Sequence, residues 1–468
     1  MRGIVAYAAY LPYWRLERKA IGEALGISAG SGTRSVASYD EDTTSMAVEA
    51  GRAALRGLRG AGPEALYFAT SDPAYLDKTN ATAIHAALDL PSSVMAVDMV
   101  GAVRSAAGAL RVALDARVPV LAVLSDVRTG LPGGADERDG GDGAAAFLFG
   151  DDGVLAEPLG SASATAEFLD RWRLPGDAAS RQWEERFGES AYVPLGESAL
   201  AEALKQAGVT AQSLTRLIVA GPHGRAVKRV AAGAGVKKEA IADDLTAVVG
   251  NTGAAHAGLL LADALDRAGA DEMIAVVSLA DGADVTVWRT TSACVDAPTA
   301  PTVAEQIASA KGRVAYNTWL TWRGFLRREP PRRPDPQGPE APPSFRHEAW
   351  KFAFTGSRCQ ACGMRHLPPQ RVCVKCQAID RMAPERMADI PATIATFTID
   401  RLAFSPSPPM VAAVIDFEGG GRYQCELTDV DPKSVAIGNR VEMTFRRPIT
   451  AGGVHNYFWK ARPIRNPS

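Results

Sequence analysis

Cys359, Cys362, Cys373 and Cys376 form two CxxC pairs in the segment RCQACGMRHLPPQRVCVKCQ, with ten residues between the pairs. A CxxC turn aims two thiolates at one point, and two such turns joined by a short hairpin supply four soft ligands for a closed tetrahedral site. The segment reads as a zinc ribbon, whose metal folds a module and leaves no open position for catalysis. Iron in a rubredoxin-like site would use the same four sulfurs. Two disulfides, or four unrelated buried cysteines, fit so regular a spacing poorly. Cys294 and Cys425 are then free thiols, which suits a reducing cytoplasm.

The ribbon must be seated by the elements around it. From Ile4 to about Arg289, runs such as LYFAT, VPVLAVLS, GAAAFLFG and MIAVVSLA alternate with alanine-rich stretches such as TTSMAVEAGRAALRGL and AAHAGLLLADALDRAG. The runs are almost continuously apolar, as expected of strands buried on both faces. Their alternation predicts an α/β domain over 1–292, with strand, helix and strand recurring in both halves. A linker over 293–345 holds an amphipathic helix around EQIASAKGRVAYNTWLTWRGFLRRE and then a strap, PPRRPDPQGPEAPPS, whose prolines deny it helix and sheet alike. The ribbon occupies 346–384. Over 385–468, ATIATFTIDRLAF, MVAAVIDFEGG, RYQCELTDV and NRVEMTFRRP alternate as strands of a small antiparallel barrel, and a ribbon followed by about five strands predicts an OB-fold.

The 468 residues suggest two or three domains, and 47% apolar with 22% charged residues is a globular composition. No apolar run approaches the roughly 20 residues that span a bilayer, and MRGIVAYAAYLPYW reads as a first strand and not as an export signal. The net charge of −2 hides an asymmetry: residues 301–468 carry 24 Lys and Arg against 15 Asp and Glu, while residues 1–300 carry 27 against 38. A basic module is joined to an acidic one. Nucleic acid, a phosphate-bearing cofactor, or attraction between the two parts would each account for it.

The segments GIVAYAAYLPYWRL, YDEDTTSMAVEAGRAAL, LAVLSDVRTGLPGGADERDGGDGAAAFLFGDD, FLDRWRLPG and VVGNTGAAHAG occur in an order that resembles the thiolase superfamily. Within it they resemble the 3-hydroxy-3-methylglutaryl-CoA synthase branch over about residues 1–290. The ribbon and barrel are similar to the zinc-ribbon/OB-fold proteins that accompany thiolase-type enzymes, here fused to the same chain. This resemblance implies a duplicated five-layer α/β fold, a homodimer, a CoA thioester as substrate, and carbon–carbon bond chemistry of the Claisen, aldol or retro-aldol type. A partner thiolase-type enzyme is also implied, and the ribbon module is expected beside the acyl-CoA entrance.

Such chemistry uses a cysteine thiolate at a helix start, with His and Asn to move protons and stabilise an oxyanion. Aligned on VDMVGAVRSAAGAL, the nucleophile position holds Val103, and neither Arg104 nor Ser105 replaces a thiol unaided. The family histidine position in IVAGPHGRAVKR holds Ala220, with His223 three residues on; His223 is either brought in by a register shift or is a plain loop residue. The family acid near FATSDP falls at Ser71, beside Asp72. Asn251 in GNTG matches the asparagine that polarises the thioester, although a turn asparagine would look the same. His256 lies five residues later, either facing the cavity or packed in the core. Arg327, Arg328, Arg332 and Arg333 in the strap either grip CoA phosphates or dock the basic module on the acidic domain.

The reading is therefore an acyl-CoA enzyme acting on a carbon–carbon bond, by retro-aldol cleavage if the cysteine is dispensable. Two alternatives stand beside it: a non-catalytic acyl-CoA-binding scaffold, and a single-strand nucleic-acid-binding OB protein, which would leave the first 290 residues without a purpose.

Overall fold

A computed structural model describes residues 2–58, 60–297, 301–332 and 337–465. The first half of the α/β part orders its strands Met95–Val100, Ala65–Thr70, Val120–Val127, Asp142–Gly150, Gly3–Tyr10, and the second half orders Arg216–Ala220, Met273–Leu279, Ala283–Thr290, Ala156–Ala164. The first half pairs parallel, parallel, antiparallel, antiparallel along that order. The second repeats the pattern, its outermost strand reduced to one parallel bridge, Leu217 with Ile241. Strand order and direction both recur, so the α/β part is a duplication. The halves meet through a single pairing of Ile4 with Ala156.

Five layers follow from where the helices pack. Thr43–Leu55 covers the outer face of the first half, and Glu185–Ala207 with Gly224–Gly233 covers that of the second. Ser105–Asp115 and His256–Leu265 fill the middle, the latter touching strands of both halves. His256–Leu265 approaches its sheet closely because residue 258 is glycine: a Cβ there would lie 2.7 Å from Leu124 Cδ1. Thr43–Leu55 is set by a capping box in which Asp42 accepts from the Ser45 amide and Ser45 accepts from the Asp42 amide.

The expected linker is folded structure. Its amphipathic helix is divided into Val303–Ser309 and Tyr316–Trp322. Between them Gly312–Arg313 pairs with Trp14–Glu17. Gln306 bonds to Ala9 and Leu11, and Trp319 is fully buried under Arg34. The ribbon strands Thr355–Cys359, Arg365–His366 and Met382–Arg386 form one small sheet, and the last crosses the expected boundary at 384/385. The barrel closes in the order Ala392–Asp400, Met410–Phe417, Arg422–Leu427, Val454–Pro463, Arg440–Ala451, the OB-type barrel that alternation predicted, antiparallel except where Arg422–Leu427 meets Val454–Pro463 in parallel.

The barrel is not merely tethered to the α/β part; it is packed against the outer helix Thr43–Leu55. Arg52 donates to the carbonyls of Ala388 and Met443, the Tyr457 hydroxyl donates to Asp42, and Glu49 accepts from the Phe445 amide. Below them Arg446, Lys460 and Arg462 are buried among Asp40, Glu41, Glu49 and Asp429. Attraction between a basic module and an acidic one is thus realised as buried ion pairs. No helix among the described residues is long and apolar enough to cross a membrane.

Candidate active site and metal centre

Strands Ala65–Thr70, Met95–Val100 and Val120–Val127 run parallel, and their carboxyl ends converge with that of Arg216–Ala220 from the other half. Ligands of such sheets bind beyond these ends. Here the ends deliver Ser71, the turn from Gly101 to Arg104, Asp126, and Ala220 with Gly221. Three cavities join at this place. An inner one of about 600 Å³ and an entrance of about 580 Å³ share Ala220 and Gly221. A small one of about 70 Å³ shares Val103 with the inner cavity and Arg128 with the entrance.

Val103 lies in the turn just before helix Ser105–Asp115, the location a nucleophile would need, but it carries no nucleophile. Arg104 is committed to Asp284 at 2.9 Å and to Thr165. Of the polar groups at the centre, which include Arg171, Arg173 and Tyr192 on the wall of the small cavity, Ser71, Asp126 and Arg128 form one hydrogen-bonded cluster. The Ser71 hydroxyl donates to Asp126 Oδ2 at 2.7 Å and accepts from Arg128 Nη1 at 3.1 Å. Asp126 also accepts from the Ala254 amide at 2.9 Å, and Gly253 makes room for it, since a Cβ there would lie 2.0 Å from Oδ2. Burial raises the Asp126 pKa against the pull of Arg128 and these hydrogen bonds. Asp126 and Arg128 stand in VLAVLSDVR, where a charged pair closes an otherwise apolar strand; that break in pattern was the available signal, and it carried no role in the sequence reading.

Asn251 lines the entrance. Its Nδ2 donates to Gly221 O at 2.7 Å and its Oδ1 accepts from the Gly253 amide at 2.9 Å, which leaves one amide hydrogen. His256 reaches the same cavity but is buried, with Nδ1 accepting from the Thr252 amide and the ring also bonded to the Asp244 backbone. Burial keeps it neutral, its pKa pushed down to about 4. His223 caps helix Gly224–Gly233: Nδ1 accepts from the Ala226 amide and Nε2 donates to Glu185 O at 2.8 Å. Both ring nitrogens of His223 serve the backbone, so it lacks a free one for proton transfer.

Besides Arg128, cations at the entrance come from Arg18, Arg138, Arg225 and Lys228. The strap arginines lie elsewhere. Arg327 and Arg328 line a cleft of about 1280 Å³ against the barrel that shares no residue with the entrance; Arg332 is exposed, and Arg333 lies outside the described residues. The cations that line the entrance are thus ones the sequence reading did not single out.

Cys359, Cys362, Cys373 and Cys376 bring their sulfurs within 4.8 Å of one another, with 3.6 Å between Cys359 and Cys376 and 3.5 Å between Cys362 and Cys373. All four are free thiols. Tetrahedral zinc with metal–sulfur bonds of about 2.3 Å places its ligands roughly 3.8 Å apart, so the donor set fits the metal. The ribbon is held to the barrel by Arg365, which bonds Glu385 and the Glu418 carbonyl. Its residues line none of the three joined cavities. The ribbon therefore does not sit over the entrance as the sequence suggested.

A family model described as the C-terminal OB-fold domain of ChsH2 matches residues 385–446. The chain is similar to the hydroxymethylglutaryl-CoA synthase of Methanocella arvoryzae, 31% identical over 306 residues that cover 61% of this chain and 88% of that protein. That of Methanosphaera stadtmanae is 28% identical, with 70% of this chain and 99% of that protein covered. A solved HMG-CoA synthase complexed with CoA shares the fold with a TM-score of 0.59 at 17% identity, over 68% of this chain and 89% of that one. So does 3-oxoacyl-(acyl-carrier-protein) synthase III from Aquifex aeolicus, with a TM-score of 0.55 at 20% identity, over 62% of this chain and 100% of that one.

Proposed function

The chain belongs to the hydroxymethylglutaryl-CoA synthase family, and on that premise we propose that it binds an acyl-CoA thioester at the entrance and acts on a carbon–carbon bond without an acyl-cysteine. The observation that carries this reading is the exchange at the centre: Val103 and Ala220 remove nucleophile and histidine, while Ser71 and Asp126 remain hydrogen-bonded beside Val103. In retro-aldol cleavage a β-hydroxyl proton passes to Ser71 as Ser71 passes its own to Asp126. The β-oxygen becomes the carbonyl of the departing fragment as the Cα–Cβ bond breaks, the electron pair of that bond enters the thioester enolate, and the proton held on Asp126 returns through Ser71 to the α-carbon. The remaining amide hydrogen of Asn251 stabilises the enolate oxygen. The same groups serve the reverse condensation.

Incubation with acetyl-CoA followed by intact-mass measurement is expected to leave the chain mass unchanged. A stable acetyl adduct would sink the assignment of Val103. A panel of β-hydroxyacyl-CoAs should include one that releases a shorter acyl-CoA. Binding of the whole panel without turnover would instead favour the scaffold reading, for which the presence of Val103 and Ala220 at the nucleophile and histidine positions speaks. Single-stranded DNA is expected not to shift the melting temperature, because Trp319 and Trp459 are buried and Trp350 stacks on Phe354 instead of forming an open platform.

We further propose zinc as the ribbon metal. Cys373→Ser is expected to reduce bound zinc from one per chain to none by elemental analysis and to abolish amide protection across 355–386. Cys294 is buried and Cys425 is buried in the barrel, which suits a reducing cytoplasm. A homodimer is proposed through the edge strand Met95–Val100, whose outer edge is unpaired and whose Met95 and Val100 are 52% and 39% exposed. Light scattering should then give twice 49.3 kDa. A partner thiolase-type enzyme would be recovered by co-purification.

A further inference from the structure

The inner cavity carries chemistry that the family name does not. It runs from Val103 and Gly221, at the junction with the entrance, into the middle layer, where Leu110, Leu114, Phe149, Leu261, Val276 and Trp288 line it. These side chains come from both central helices and both sheets, so the cavity is part of the packed architecture. Its two cations are already engaged. Arg104 bonds Asp284, Thr165 and the Asp281 carbonyl, and Arg111 bonds Asp115 at 2.7 Å and also Ser161. The remaining charges on the wall, Asp281 and Asp284, are acidic.

A hydroxymethylglutaryl group ends in a carboxylate. Inside this cavity that carboxylate would find no unpaired cation among the described lining residues, since Arg104 and Arg111 would have to give up Asp284 and Asp115 to hold it, and Asp281 stands at the rim. An apolar chain meets the opposite situation, since it exchanges water for leucine, phenylalanine and tryptophan. The volume of about 600 Å³ lies in the range that encloses ligands of drug size, far more than an acetyl group fills.

Resting on the acyl-CoA reading above, we infer that the inner cavity takes an extended apolar acyl group, on the order of ten carbons or a ring system of similar bulk, with no terminal carboxylate. The thioester and any β-hydroxyl stay at the junction beside Ser71, and the chain runs inward between the two sheets.

The test uses the full-length protein and saturated acyl-CoAs, which lack the β-hydroxyl and so are not cleaved. Dissociation constants are measured by calorimetry for free CoA, acetyl-, hexanoyl-, octanoyl- and decanoyl-CoA, and for hydroxymethylglutaryl-CoA. Affinity is expected to rise about threefold to fourfold per methylene along the saturated series, with hydroxymethylglutaryl-CoA no tighter than acetyl-CoA. Ala257→Phe, which fills the cavity from the helix that lines it, should erase the chain-length gain while free CoA binds as before. The wild-type series stands by itself if that variant fails to fold. Equal affinities for acetyl- and decanoyl-CoA, or tightest binding of hydroxymethylglutaryl-CoA, would overturn the inference and leave the acyl-CoA reading intact. Failure of every CoA species to bind would overturn both.

Discussion

Arg446→Met is expected to lower the unfolding free energy by about 3–5 kcal/mol and to free the barrel from the α/β part. The guanidinium is fully buried and pairs with Glu41 at 2.7 Å, Asp429 at 2.6 Å and Asp40 at 3.5 Å. Methionine keeps most of the volume, so the loss comes from carboxylates stranded in the interior and not from a cavity. Arg371→Met is the control: its pair with Asp380 at 2.7 Å is exposed, and no measurable change is expected. Urea unfolding followed by tryptophan fluorescence reads both. An Arg446→Met midpoint equal to that of wild type would show that the buried cluster does not hold the module.

The same cluster sets the acid limit of docking. Burial pushes Asp40 and Glu49 upward, but Lys460 and Arg446 outweigh it at Asp40, and Arg462 and Arg52 outweigh it at Glu49, so both are held at about 2. Their folded values lie below the ordinary 3.8 and 4.5, so their stabilisation is complete above those values and is lost as pH falls toward 2. Glu41, raised by burial, acts in the opposite sense and softens the slope. Urea midpoints measured from pH 6 to pH 2.5 should therefore hold above about pH 4.5 and decline below it.

Much of the architecture was legible because it depends on local pattern. VLAVLS and AAAFLFG are apolar on both faces whichever neighbours they pair with, and the barrel strands alternate because one face meets solvent. The four cysteines announce themselves by spacing. What stayed hidden depends on partners far apart in the chain. Nothing near Arg446 names Asp40 and Glu41, some four hundred residues away, so the charge asymmetry could suggest attraction without showing a buried interface. His223 was a candidate because it lies three residues beyond the family histidine position, where a register shift could bring it in; only the fold supplies the Ala226 amide and the Glu185 carbonyl that occupy its two ring nitrogens. Arg327 and Arg328 precede the strap prolines and lie in the barrel cleft, and the end of the strap, expected to exclude helix, forms helix Ala341–Arg346 because its prolines fall in the first turn, where no amide donor is needed. Asp126 carries no mark of burial in its own strand, since a charged residue closing an apolar strand most often faces solvent; the room for its carboxylate is made by Gly253 from the other half of the duplication.

Asp126→Asn is expected to reduce turnover by about 10²–10⁴-fold with little change in acyl-CoA affinity. The substitution keeps the shape of the side chain and removes the negative charge that accepts a proton through Ser71. Simple damage to the fold would show itself differently, since loss of the Ala254 contact alone would lower the melting temperature and weaken CoA binding together. The pH profile separates the cases further. A proton acceptor must be ionised, and burial raises its folded pKa above 3.8, so kcat/KM should fall on the acid side through that raised value in wild type. In Asp126→Asn the limb should vanish along with most of the rate. Ser71→Ala should cost a similar factor, and the double variant Ser71→Ala with Asp126→Asn should be no slower than either single one, because a relay broken at one point gains nothing further from a second break. Turnover of Asp126→Asn within threefold of wild type would remove Asp126 and Ser71 from the chemistry.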